Sequence, residues 1–291
     1  MACPTCSRRS ALIAALAPAI SRLAPLTRQD LLGLLALNEE RLLHALKVQD
    51  PSQFSRQPQR SESTKGVPTE ICRHDPGYPP ALAQLDCAPA VLYATCTIER
   101  LQALLAAPTV ALVGNLAQTS YSQQVAFALA HDLAAIGVTI VSGFNDGLEG
   151  TAHHGAQHAS GRSIAVLACA PDMPPSPGQN EHRHRCILER GAAFSEFPPG
   201  FHPPRRWCYI ASQRIIAALA SVVVVVQATE RSSALLTTTI AAELGHDVAV
   251  VPGRVTDPAS HGTFALLRDG AHPVSCAGDV LELIHDTVGV S

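Results

Sequence analysis

Four short segments place small, hydroxylated or amide side chains directly after apolar runs: Gly114-Asn115, Ser142-Gly143-Phe144-Asn145-Asp146-Gly147, Gln227-Ala228-Thr229 and Pro252-Gly253. Glycine and serine in such places let backbone N–H groups approach a phosphate at a helix N-terminus, where the helix dipole also favours an anion. Ser232-Ser233, followed by Thr237-Thr238-Thr239, add hydroxyl donors of the same kind. Any one of these segments could simply be a tight strand-to-helix turn with its N-cap. Four together point to a phosphate-bearing ligand.

Other chemistries are less well supplied. Gly114 is not followed by the spacing Gly-x-Gly-x-x-Gly, and no acid closes the second strand to hold a ribose. There is no Gly-x-Ser-x-Gly elbow. Glu196, His153 and His154 stand alone, so each reads as satisfied or solvent-facing, and no catalytic residue is expected. The nine cysteines are scattered, as buried or free thiols in a reducing compartment would be. Cys3 and Cys6 form one Cys-x-x-Cys without a second pair at ribbon spacing, short of the four ligands of a structural zinc. His182, His184 and Cys186 lie at i, i+2 and i+4, which do not share one helix face. Neither metal nor cofactor is expected.

The elements that must position these loops alternate between strand and helix. Strands are predicted at Val110–Val113, Val138–Val141, Ser163–Cys169, Ala192–Phe194, Val222–Val226 and Asp247–Val251. Helices are predicted at Tyr121–Ile136, closed by Gly137, and Gly150–Ser160, closed by Gly161. A continuous apolar run such as Val222–Val226 is buried on both faces, which requires a parallel sheet between helices. The expected architecture is α/β: a Rossmann-like, doubly wound, mostly parallel sheet with a small N-terminal helical module. Residues 1–50 form that module, with Thr27 as an N-cap. Residues 51–70, polar and rich in Ser, Gln and Pro, form a linker, and the main domain spans 71–286.

Ser7-Arg8-Arg9 and the alanine-rich run after it have the look of a twin-arginine signal. The apolar periodicity continues through Leu23, Leu31, Leu35 and Leu42, which favours a first helix instead. The longest valine run is far below the roughly 18 residues of a membrane span, so no membrane association is expected. With a net charge of −3 and a pI near 6.5, no global field draws the chain to nucleic acid. Binding would need a local patch or backbone amides.

In order along the chain, Tyr78-Pro79-Pro80, Ala111-Leu112-Val113-Gly114, Tyr121, Val141-Ser142-Gly143, Gly147 and Ala152-His153 are followed by Gly161-Arg162-Ser163-Ile164 and Ser195-Glu196-Phe197-Pro198. Arg214-Ile215-Ile216-Ala217, Ser232, Thr237, Val251-Pro252-Gly253, Gly262-Thr263 and Gly270-Ala271 complete the series. This order and spacing resembles the DprA/Smf family of DNA-processing proteins. The resemblance implies a cytoplasmic, non-enzymatic homodimer that binds single-stranded DNA in a phosphate pocket and loads the RecA recombinase during natural transformation. It also implies a pocket built from Gly114, Asn115, Tyr121, Ser122, Ser142, Gly143, Gly147, Gln213, Arg214, Ser232, Ser233, Thr237, Gly253 and Thr263.

The sequence departs from the family pattern in one direction, towards less charge. Leu116 stands where the family's first loop has arginine, and Ser212-Gln213-Arg214 keeps one cation of two. Arg214, read as opening a helix, is then the expected remaining phosphate fork. Loss of charge brings forward two other functions on the same fold: a sensor of nucleotide derivatives, and a phosphoribohydrolase-type enzyme. The second is disfavoured because Thr229-Glu230-Arg231-Ser232-Ser233 lacks that class's paired glycines.

Overall fold

The structure is a computed structural model and describes residues 2–23, 27–48, 68–172, 185, 187–201 and 205–288. The chain divides into two compact units. The first comprises Met1–Gln102, Leu167–Pro174 and Ala193–Ser212; the second comprises Ala103–Val166, Pro175–Ala192 and Gln213–Ser291.

In the first unit, helices α1 (Pro4–Arg22), α2 (Arg28–Ala36) and α3 (Glu39–Ala45) lead into strand β1 (Thr69–Cys72), short α4 (Pro80–Ala83), β2 (Val91–Ala94) and α5 (Ile98–Leu105). Each early helix has a local reason to start where it does. Pro4 occupies the first turn of α1, where its missing N–H costs nothing. Thr27 caps α2 in a reciprocal box with Asp30, as the sequence predicts, and Asn38 accepts from Arg41 N–H to cap α3. Leu16, Ile20, Leu31, Leu35 and Leu42 share one core with Phe197, Phe201 and Trp207. The helical module is therefore packed within a larger unit. β1 pairs antiparallel with β2, and β2 with β6 (Ala192–Ser195). Thr69 and Glu70, assigned to the linker, belong to β1, where they sit opposite Ala94 and Tyr93. The rest of that linker, residues 51–67, lies outside the described residues.

The second unit is the doubly wound part. Its strands β3 (Thr109–Gly114), β4 (Thr139–Gly143), β5 (Ser163–Val166), β7 (Val222–Gln227), β8 (Asp247–Val250) and β9 (His272–Pro273) run in the order β5-β4-β3-β7-β8-β9. Their pairings are parallel. α6 (Ser120–Ala135), α7 (Leu148–His158) and α11 (Ala277–Val288) cover one face, packing on Val110, Leu112, Val222, Val224 and Val226. The alternate residues Ala111, Val113, Val223 and Val225 face the other way, where α9 (Ala234–Glu243) packs across β3, β7 and β8. Every residue of Val222–Val226 is fully buried, and each valine so enclosed contributes about 1.5 kcal/mol or more.

Two helix endings differ in kind. Gly137, at φ 93°, takes the left-handed conformation that stops α6. After α7 that position falls to Ser160, at φ 57°, and not to Gly161. Gly161 is needed for closeness instead: a Cβ there would lie 2.5 Å from the Cβ of Ala134. α8 (Arg206–Leu219) leads into β7, and α10 (His261–Arg268) follows a 3-10 turn at Pro258–Ser260.

Candidate functional site

Strand order reverses between β3 and β7, and in an open parallel sheet the ligand crevice lies outside the carboxyl ends of the strands at that point. The structure brings the sequence-selected residues to this edge. Gly114 and Asn115 end β3, Ser142 and Gly143 end β4, and Gly147 caps α7. Ser232 and Ser233 open α9, and Gly253 follows β8. Gln213 and Thr237 meet side chain to side chain.

Two polar networks organise the edge. In the first, Asn115 N–H donates to the carbonyl of Gln227 at 2.9 Å, across a register shift at Val113/Gly114. The Asn115 amide donates to Ala259 O at 3.1 Å and accepts from Thr229 N–H at 3.0 Å. Gln227 donates to Asp257 at 3.0 Å and to Ser260 at 3.2 Å, and accepts from Thr119 Oγ1 at 3.0 Å. Gly262 and Thr263 N–H groups both converge on Ala228 O, and the Thr263 hydroxyl donates to Ser260 O. Asn115 and Gln227 therefore rivet the ends of β3 and β7 to the turn before α10.

The second network surrounds Glu149. Its carboxylate lies over Gly143, where an added Cβ would come within 2.3 Å of Oε2. The Asn145 side-chain amide donates to that oxygen, while Asn145 Oδ1 accepts from Gly147 N–H at 2.8 Å. Gln213 also hydrogen-bonds Glu149 and accepts from the Thr237 hydroxyl. Burial is the dominant influence on Glu149 and pushes its carboxyl up to about 7, against the opposing hydrogen bonds from Asn145 and Gln213.

Several hydroxyls expected to serve a ligand are engaged within the protein. Ser122 completes the capping box of α6 with Thr119. Ser142 donates to Leu112 O at 2.6 Å, and Tyr121 donates to Pro252 O at 2.9 Å. His153, fully buried, bonds through Nε2 to Gly143 O at 2.8 Å. His154 stacks edge-on against Phe127, and Glu196 accepts from the Ser10 hydroxyl through its backbone carbonyl. Ser233 makes no side-chain cap bond and is exposed. The His182–Cys186 cluster, Arg185 apart, lies outside the described residues.

Arg214 requires correction. It does not open a helix: α8 begins eight positions earlier, at Arg206, and Arg214 sits inside it with 2% exposure. The apolar sequence after Arg214 has helical character, and so does Trp207-Cys208-Tyr209-Ile210-Ala211 before it, which places Arg214 in mid-helix. Among the described residues of the loops after β7 and β8, Arg231, between β7 and α9, and Arg254, after β8, are exposed cations. Leu116, in the position of the family's loop arginine, is 68% exposed. Sequence reasoning also passed over Glu149 as a site residue. The usable signal was a carboxylate two residues after a helix-capping glycine, in a loop otherwise short of counter-charge.

The fold and this edge define a doubly wound α/β protein of Rossmann type, whose strand order reverses between β3 and β7. A sequence profile of the DNA recombination-mediator protein A family matches residues 69–285, and the chain belongs to that family. A putative DNA processing protein DprA of Mycobacterium tuberculosis is 42% identical over 174 residues, which is 60% of this chain and 44% of that protein. The chain thus spans less than half the length of that relative. The X-ray structure of DNA processing protein A from Streptococcus pneumoniae superposes with a TM-score of 0.71 at 26% identity, covering 96% of this chain and 94% of that one. DNA processing protein A of Helicobacter pylori, whose structure is described by its single-stranded DNA binding mode, superposes with a TM-score of 0.65 at 27% identity. That match covers 75% of this chain and 95% of that one.

Proposed function

We propose that this chain binds single-stranded DNA along the carboxyl edge of β3, β4 and β7, as a non-enzymatic DNA-processing protein of recombination. In this reading it is cytoplasmic, protects the strand taken up in natural transformation and passes it to the RecA recombinase. The observation that carries the reading is the likeness, over 75% of the chain, to a solved family member described by its single-stranded DNA binding. The geometry of the edge agrees with it: helix N-termini of α6, α7 and α9 follow strands β3, β4 and β7 and offer backbone N–H groups to phosphates. Arg231 and Arg254 supply the charge that neither Leu116 nor the buried Arg214 offers to solvent.

One feature favours a second reading. An exposed leucine at 116, where the family's first loop has arginine, would suit a small nucleotide derivative better than a polyanion. Fluorescence anisotropy of labelled oligo-dT at several salt concentrations separates the two. Arg231→Ala and Arg254→Ala are each expected to weaken binding roughly tenfold, the worth of one charge-assisted hydrogen bond, and to lower the salt slope by about one unit. Leu116→Arg is expected to move both quantities the other way. A wild-type protein that shows no salt-dependent affinity for oligo-dT overturns the DNA reading. Stabilisation of the same protein against melting by mononucleotides would then support the second.

A further inference from the structure

Cys3 and Cys6 gain in the fold the partners they lack in the sequence. Cys3 is the N-cap of α1 and Cys6 lies in its first turn. Cys72 is the last residue of β1, and His74 follows in a turn in which Asp75 N–H donates to Cys72 O at 2.8 Å. The three Sγ atoms and a ring nitrogen of His74 all lie within 4.8 Å of one another. Nδ1 of His74 is 3.5 Å from Cys3 Sγ and 3.3 Å from Cys6 Sγ. A tetrahedral ion with Zn–S bonds of about 2.3 Å and a Zn–N bond of about 2.0 Å sets its donor atoms roughly 3.5–3.8 Å apart. The two Cys–His separations already reach the sulfur–nitrogen figure, and no other pair of donors is more than about 1 Å beyond the sulfur–sulfur figure.

We infer that Cys3, Cys6, Cys72 and His74 form a structural zinc site that staples the start of α1 to the end of β1. Three thiolates and an imidazole are a donor set that selects a borderline-soft divalent ion in tetrahedral geometry. Four protein ligands leave no position for a reacting water, so the role is structural. The surroundings fit. Cys6 and Cys72 are buried against Ala90, Val91 and Tyr93, while His74 faces solvent. The N-terminus of α1 also lowers the cost of thiolate charge beside it. The ligands lie up to 71 positions apart in sequence, on either side of residues 49–67. Such an ion would tie together two points far apart in the chain and hold the helical module on β1. A rival use of the Cys-x-x-Cys at a helix start, reversible disulfide exchange, does not call for the third thiol and the imidazole.

The test is the metal content of the full chain, purified reduced without chelator or a metal-affinity step. We expect about one zinc per chain, and tetrahedral thiolate–cobalt absorption after exchange into cobalt. His74→Ala changes an exposed side chain and so leaves folding intact. It is expected to weaken zinc by more than roughly tenfold in chelator competition, a loss that second-shell changes alone can reach. Cys276→Ser, at an exposed thiol outside the cluster, should retain the metal. A chelator should lower the melting temperature of wild type but not of Cys3→Ser/His74→Ala. The site is overturned if the reduced wild-type protein binds neither zinc nor cobalt. It is equally overturned if the double variant keeps its zinc, or if a Cys3–Cys6 disulfide is found in place of the metal.

Discussion

Glu149 has a carboxyl group enclosed at the end of β4, with 6% exposure and an ionisation shifted from 4.5 to about 7. Because the folded value is raised, the folded state holds its proton more tightly than the unfolded chain does. The stabilisation from this proton is complete below pH 4.5, declines as pH rises, and is gone above about 7. A shift of this size corresponds to about 3 kcal/mol across the window. Urea unfolding measured between pH 4.5 and pH 8 is expected to show that decline. Glu149→Gln, which keeps the shape and removes the proton, should flatten it. An unchanged slope in the variant would mean that Glu149 is not the group responsible. Arg214 carries the complementary lesson at this scale. Inside α8 and 2% exposed, it is an internal cation, whose removal should register first as lost stability.

At the scale of elements, the carboxyl edge is held by close backbone approaches that tolerate no side chain. An added Cβ at Gly262 would stand 2.5 Å from Thr229 O and 2.8 Å from Ala228 O. Both are backbone atoms of the loop leaving β7, so neither can rotate away. Gly262→Ala is expected to cost about 1–3 kcal/mol, as overpacking does, and to push α10 away from that loop. Gly33→Ala offers the contrast. Gly33 lies inside α2 with nothing within 4 Å of an added Cβ, so alanine there should stabilise by about 1 kcal/mol through helix propensity. Thermal melts of the two variants check both signs. A neutral Gly262→Ala would show that the loop after β7 can move.

For the whole molecule, a net charge of −3 means that any polyanion binding must be local, and Arg231 and Arg254 are the exposed cations on which the proposed edge relies. No helix among the described residues is long and apolar enough to cross a membrane. Membership of the recombination-mediator family leads us to expect a homodimer. Light scattering at about 10–50 micromolar, concentrations that saturate an interface of moderate affinity, should give twice the chain mass, and a monomer there would count against it. The division between sequence and structure follows from the range of the interactions involved. Continuous apolar runs at Val110–Val113 and Val222–Val226, and Gly137 closing a helix, declare strand, helix and parallel sheet locally, because periodicity and backbone preference act between near neighbours. Thr69–Cys72 and Val91–Ala94 gave no such signal, being four residues long and made into strands by their pairing. The sequence also set the chemistry of the carboxyl-edge loops. Only the tertiary structure could decide that Arg214 is enclosed, that Gln227 is spent on Thr119, Asp257 and Ser260, and that Cys72 and His74 stand beside Cys3 and Cys6. Burial and proximity are properties of pairs far apart in the chain, and no window of sequence contains both members.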